Sequence, residues 1–252
     1  MSALLHILYE DEDLLAVNKP AGMLVVPGGG VEPEPTLLAL VAEHLAPHGE
    51  RPYVVHRLDR GTSGVILFAR HAAAHRELNL AFDHRRVAKK YVALVAGDLE
   101  GDGLINVPLH PARRGKMRPA HRGEVGQSSR THWKVVERFT RYTLLEIKPL
   151  TGRQHQIRVH LKSIGHPLAV DPHYGRKQPL TARDLQPFAP DDAPVLARTP
   201  LHATWLRLPA LRQQPGQAGV PHPTRKERVI IEAPWPEDLL QALQLLRSHH
   251  SG

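Results

Sequence analysis

Apolar residues fall along this chain in short runs separated by polar turns, and the period of each run predicts an element. Residues 4–9 and 14–17 are apolar around the acidic turn 10–13. They predict two short strands or a hairpin, broken after Val17 by Lys19, Pro20, Ala21 and Gly22. Positions 37, 38, 40, 41 and 45 are apolar behind Thr36, the spacing of an amphipathic helix with a threonine N-cap. Pro47 and Gly49 should end it. An unbroken apolar run at 65–69 predicts a buried strand. The alanine- and leucine-rich stretch 71–82 predicts a second helix, with Leu78, Ala81 and Phe82 toward the core.

Residues 91–96, YVALVA, read as another buried strand with Tyr91 at its mouth. A tyrosine so placed usually packs and keeps a wet hydroxyl. Residues 108–123 show little periodicity and predict a loop or an irregular hairpin. Alternation of large residues at 131–136 and 142–147 predicts two paired strands. From Gln154 the apolar positions Ile157, Leu161 and Ile164, with His160, fall at helical spacing until Gly165. On that helix Arg158 stands one residue from the apolar stripe and by itself reads as a solvated charge. The proline-rich stretch 172–200 has no clear period and predicts an ordered surface excursion. Strands at 202–208 and 229–233, a basic Pro/Gly loop at 213–228 between them, and a terminal helix at 236–246 opened by Glu237 and Asp238 complete the chain. Many short strands and few helices, never in strict β-α-β order, predict an α+β fold with a mostly antiparallel central sheet flanked by helices and loops.

Composition changes this picture mainly through charge. The 252 residues are 41% hydrophobic and 23% charged, ordinary for a globular chain, and suffice for one large domain or two modest lobes. No apolar run reaches the roughly 18 residues of a membrane span. The first residues lack a basic signal-like region, so the expectation is a soluble, cytoplasmic protein, monomeric by default. Cysteine is absent, which removes disulfides and thiolate chemistry. Lysine and arginine number 33 against 25 acids, giving +8, a balance that favours a polyanionic partner. The excess is clustered. Arg113, Arg114, Lys116, Arg118 and Arg122 fall in a stretch from Pro108 to Gly123 without an acid, and Arg85, Arg86, Lys89 and Lys90 fall together.

Among candidate chemistry, the stretch HRLDRGTSGVILFA at 56–69 stands out, because His56, Arg57 and Arg60 surround the carboxylate of Asp59. Such cations hold an acid in its charged form and offer contacts to an anion. The glycines at 28, 29 and 30 complete no phosphate-binding pattern. His155 and His160 are five apart, a poor spacing for two ligands on one helix face, and no carboxylate completes a set, so no metal is expected.

Three segments resemble the RluA-type RNA pseudouridine synthases: HRLDRGTSGVILFA at 56–69, KKYVALVAG at 89–97 and TGRQHQIRVHLKSIGHP at 151–167. LYEDEDLLAVNKPAGMLVVP at 8–27 and LHA at 201–203 extend the likeness over about residues 5–235. The resemblance implies a pseudouridine synthase catalytic fold with a central cleft, a single catalytic domain over 1–252, and no separate N-terminal RNA-binding domain. It implies that Asp59 is catalytic, that Arg158 pairs with it, that Tyr91 stacks on the target base, and that Arg57 fills the place of the flipped base. Arg60, Lys89, Lys90, Arg113, Arg114, Lys116, Arg118, Arg153 and His155 are the further groups expected to meet RNA, ribosomal or transfer. No cofactor is expected. The chain departs from the family at Val170-Asp171, where Gly-Asp is usual, and at Gln127 and Ser129. The competing readings are a catalytically silent RNA-binding or RNA-folding protein and, more distantly, a metal-dependent hydrolase.

Overall fold

A computed structural model describes residues 5–28, 35–210 and 228–250. The glycines at 29 and 30 and residues 213–227 of the expected basic loop lie outside the described residues. The chain divides into two compact units, Met1–Lys89 with Ala203–Pro234, and Lys90–His202 with Trp235–Gly252.

The first unit opens with β1 (Ile7–Glu10) and β2 (Leu14–Lys19), an antiparallel hairpin. Asp11 staples its turn, Oδ1 accepting from the amides of Asp13 and Leu14 at 2.9 and 2.8 Å. The second strand continues past Val17, because Asn18 and Lys19 still pair across to Val65 and Gly64. Helix α1 (Leu37–Leu45) starts as expected, with Thr36 Oγ1 accepting from Ala39 N, and buries Leu37, Val41 and Leu45. A short 3-10 turn, Ala46–His48, follows it and ends on Gly49 at φ 69°.

Next, β3 (Tyr53–Val54) leads through the 56–62 turn into β4 (Ser63–Ala69), in which every residue is buried. β2 and β3 both pair with β4 antiparallel. Helix α2 (Ala72–Asp83), capped by His71, packs Ala74, Leu78 and Ala81 on the core of β2 and β4 residues. Each buried leucine there contributes about 2 kcal/mol of apolar transfer free energy.

β5 (Ala88–Ala96) carries the chain into the second unit. There β6 (Asp102–Asn106), β9 (Arg130–Arg138) and β10 (Tyr142–Pro149) join it in the antiparallel order β5-β10-β9-β6, and β7 (Leu109–Pro111) with β8 (Met117–Pro119) forms a separate hairpin. The 108–123 segment is therefore a hairpin with a 3-10 turn, Arg113–Gly115, at its tip. Helix α3 (Gln156–Ser163) follows β10.

The 172–200 stretch is more than a surface excursion. It forms β11 (Leu180–Thr181), α4 (Ala182–Leu185), whose capping box joins Thr181 and Asp184, and β12 (Pro194–Leu196). Leu180, Leu185 and Leu196 are buried with Leu94, Leu144 and Val170. β13 (Leu201–Leu208) then pairs with β14 (Val229–Glu232) in the first unit, and α5 (Glu237–His250) returns to the second, burying Leu239, Leu243 and Leu246. The architecture is α+β with a mostly antiparallel sheet: β1-β2, β2-β4, β5-β10, β10-β9, β9-β6 and β13-β14 all pair antiparallel.

Candidate active site

In the first unit the candidate residues stand on the turn between β3 and β4. It is fixed from beneath by Lys19, whose side chain has no solvent exposure. Its ammonium donates to the carbonyls of Pro20, Met23 and Arg60 at 2.9, 2.8 and 3.2 Å. A buried cation is costly unless its protons are matched, and three carbonyls match them. Arg60 closes the same loop, its Nε donating to Gly22 O at 2.7 Å while Gly22 N donates back to Arg60 O at 2.8 Å. The half-buried Asp59 sits within this brace, its own carbonyl accepting from Thr62 N at 3.0 Å.

His56 stacks on Phe82 with centroids 4.9 Å apart. Its Nε2 accepts from Leu67 N at 3.1 Å, which places the proton of the neutral ring on Nδ1. Burial and then the neighbouring Lys89 charge push its pKa down to about 3. It is therefore a fixed neutral spacer, not a proton carrier at neutral pH. Lys89 lies 5.7 Å over the Phe82 ring, and burial lowers its pKa too. Arg57 is exposed.

The second unit holds Tyr91, Arg158 and the remaining basic candidates. Tyr91 stands on β5 opposite Ile147 of β10 and is half-buried. Arg158 is not the solvated charge that its helical position suggests, since it is 6% exposed. Its Nε and Nη2 donate to Asp171 Oδ2 and Oδ1, each at 2.8 Å. Burial raises the Asp171 pKa, but hydrogen bonds and charge from Arg158 and the amides of His173 and Tyr174 outweigh it and hold the carboxyl below its ordinary value. The Tyr174 ring lies 5.1 Å from Arg158 Cζ. Its hydroxyl accepts from Met117 N at 2.8 Å and is 2.7 Å from His155 Nδ1.

His155 precedes α3 in the left-handed region, φ 52°, uncommon for a residue with a side chain. The turn is anchored instead by Gln156, whose Oε1 accepts from Thr151 Oγ1 and Arg153 N, and whose amide donates to Arg130 O and Thr131 Oγ1.

The basic candidates differ in how committed they are. Arg113 and Arg114 are exposed at the tip of the β7-β8 hairpin, and Lys116 Nζ reaches His173 O at 3.3 Å. Arg118 is held bidentately by Glu124 at 2.6 and 2.7 Å. Lys90 lies 3.4 Å from Glu146. Arg153 is exposed, its Nε 3.4 Å from Ser128 O. The structure thus gathers Arg158 and His155 around Tyr174, with Lys116 on the carbonyl of the preceding His173, and Arg57, Asp59 and Arg60 on one braced turn. Lys19, Asp171 and Tyr174 were not singled out from the sequence. The last two lie just beyond the family-like segment 151–167, the one signal that could have pointed toward them. Among the described residues no cluster of histidines and carboxylates could hold a metal ion, and no helix is long and apolar enough to cross a membrane.

The model of a family described as RNA pseudouridylate synthase matches residues 13–163. A protein named ribosomal large subunit pseudouridine synthase D from Nitrosomonas europaea is 39% identical over 97% of this chain and 66% of its own length. The protein of the same name from Pseudomonas aeruginosa is 37% identical over 96% of this chain and 72% of its own. The chain thus spans about two thirds to three quarters of these relatives. The solved structure of human RNA pseudouridylate synthase domain containing 4 superposes with a TM-score of 0.73 at 25% identity, covering 96% of this chain and 93% of that one.

Proposed function

The chain belongs to the RluA-type family of RNA pseudouridine synthases, and on that premise we propose that it isomerises uridines of large-subunit ribosomal RNA through the carboxylate of Asp59. The substrate class rests on the names of the bacterial relatives. The observation that supports the site is the bracing of the turn that carries Asp59 by the fully buried Lys19 and by the reciprocal hydrogen bonds of Arg60 and Gly22.

In this reading Asp59 acts on the flipped nucleotide as nucleophile or base. The N1–C1′ bond breaks, the uracil turns within the site, and a C5–C1′ bond forms. The proton at C5 is lost to water and N1 gains one, so atoms and electrons balance without an oxidant, a reductant or a cofactor. The family resemblance assigns Arg158 as the cation that favours the ionised carboxylate. Tyr91 offers its ring to the extruded base, and Arg57 occupies the position that the base leaves, offsetting part of an unstacking cost of about a few kcal/mol. Arg60, Lys89, Lys90, Arg113, Arg114, Lys116, Arg118, Arg153 and His155 are the groups assigned to RNA contact, with Arg113, Arg114 and Lys116 on the β7-β8 hairpin neutralising phosphates and Arg118, already paired with Glu124, contributing little charge.

The test is tritium release from RNA carrying 5-tritiated uridine, with wild type beside Asp59→Asn. Release by the wild type and none by the variant is expected. Equal release by both overturns the role of Asp59, and tight RNA binding with no pseudouridine from either favours a silent RNA-binding protein.

A further inference from the structure

The Arg158–Asp171 pair is built more elaborately than an ion pair requires. Asp171 has no solvent exposure. Its Oδ2 accepts from Arg158 Nε, and its Oδ1 accepts from Arg158 Nη2, from His173 N at 2.9 Å and from Tyr174 N at 3.2 Å. The backbone of the same turn is closed at both ends, with Asp171 N donating to Arg176 O at 2.7 Å and Gly175 N to Asp171 O at 2.9 Å. The carboxylate is thus immobilised before it meets the arginine.

Side-on bidentate contact through Nε and Nη2 defines the guanidinium plane and the rotation of the long side chain within it. The Tyr174 ring, 5.1 Å from Cζ, packs against the group. That ring is itself held through its hydroxyl by Met117 N and His155 Nδ1. A buried pair adds little net stability over an apolar pair of the same volume, so stability alone does not explain this geometry.

We propose that Asp171 is the positioning residue of the site: it takes one edge of the Arg158 guanidinium and thereby presents the opposite, Nη1 edge in a single orientation. This rests on the reading that Arg158 serves the reaction. Tyr174 is the lateral support of the same device. Asp171 touches no reacting atom and acts only through Arg158.

Two readouts on the full-length chain test this. The first is the arginine Nε–H resonance of Arg158 in wild-type protein, assigned by its loss in Arg158→Lys. It should exchange slowly with water in the wild type and quickly in Asp171→Asn. The second is single-turnover tritium release at saturating RNA. Asp171→Asn should slow it by about 100-fold, the scale of a misplaced group, with RNA affinity kept within about 2-fold. Asp171→Asn combined with Arg158→Lys should be no slower than Arg158→Lys alone, as expected when two residues serve one purpose.

A folded Asp171→Asn whose rate lies within about 3-fold of wild type overturns the proposal, as do additive losses in the double variant. If Asp171→Asn does not fold, the wild-type resonance decides: slow exchange supports the proposal and exchange as fast as that of exposed arginines overturns it. If the wild type releases no tritium, the functional reading fails, and the resonance alone still judges whether Asp171 orders Arg158.

Discussion

His56 shows how one side chain can be fixed in charge by its surroundings. Burial first and the Lys89 charge second push its protonation from 6.5 down to about 3, while the Leu67 amide on Nε2 and Phe82 against its face hold the ring in place. The unfolded chain protonates this ring as pH drops through about 6.5 whereas the folded chain does not. The stabilising contribution is therefore complete above about pH 6.5 and is lost as pH falls toward 3, amounting to about 2 kcal/mol by pH 5. Urea unfolding at pH 7.5, 6 and 5 should show that loss in the wild type and a shallower dependence in His56→Gln. Identical dependence in the two would refute the assignment. At this scale the sequence was informative where residues stand side by side, as in the HRLDR turn. It was silent on Lys19 because the three carbonyls that justify burying its charge come from a loop and a turn about forty residues apart. Arg158 was legible as a family position but not as a buried one. Its burial depends on Asp171, thirteen residues further along the chain.

Among the elements, β4 is the most constrained. Gly64 has φ 109°, and a Cβ built on it would run into the backbone of Ala203, including its carbonyl oxygen. Gly64→Ala meets both a strained backbone and an immovable neighbour, so it should cost about 3 kcal/mol or more. A urea midpoint unchanged from wild type would contradict this. Apolar periodicity located α1, α2 and the β9-β10 pair well, since each keeps its period over two turns or several alternations. It failed over 172–200, where Leu180, Leu185, Val195 and Leu196 are too scattered to show a period. They are buried because α5 packs beside them. The apolar pattern also stopped β2 too early, because pairing with β4 rather than side-chain type extends it through Asn18 and Lys19.

For the molecule as a whole, the net charge of +8 is the term that should set how RNA affinity responds to salt. Replacing Arg113, Arg114 and Lys116 by alanine should reduce the slope of log affinity against log salt concentration by about 2–3. Arg118→Ala should change it far less, because Glu124 already neutralises that guanidinium. Filter binding from low to moderate salt separates the two, and an equal effect would show that hairpin position rather than available charge governs contact. The division of the chain has a different consequence, which concerns synthesis. Each unit is made of two separated pieces, the first needing Ala203–Pro234 and the second Trp235–Gly252. The segment SGVILFA leaves the ribosome more than a hundred residues before Ala203, the residue against which Gly64 is fitted. Until then its apolar backbone is an unfinished sheet edge, the kind of surface that aggregates or recruits chaperones. A nascent chain stalled before residue 203 should therefore be far more protease-sensitive around β4 than one released at full length.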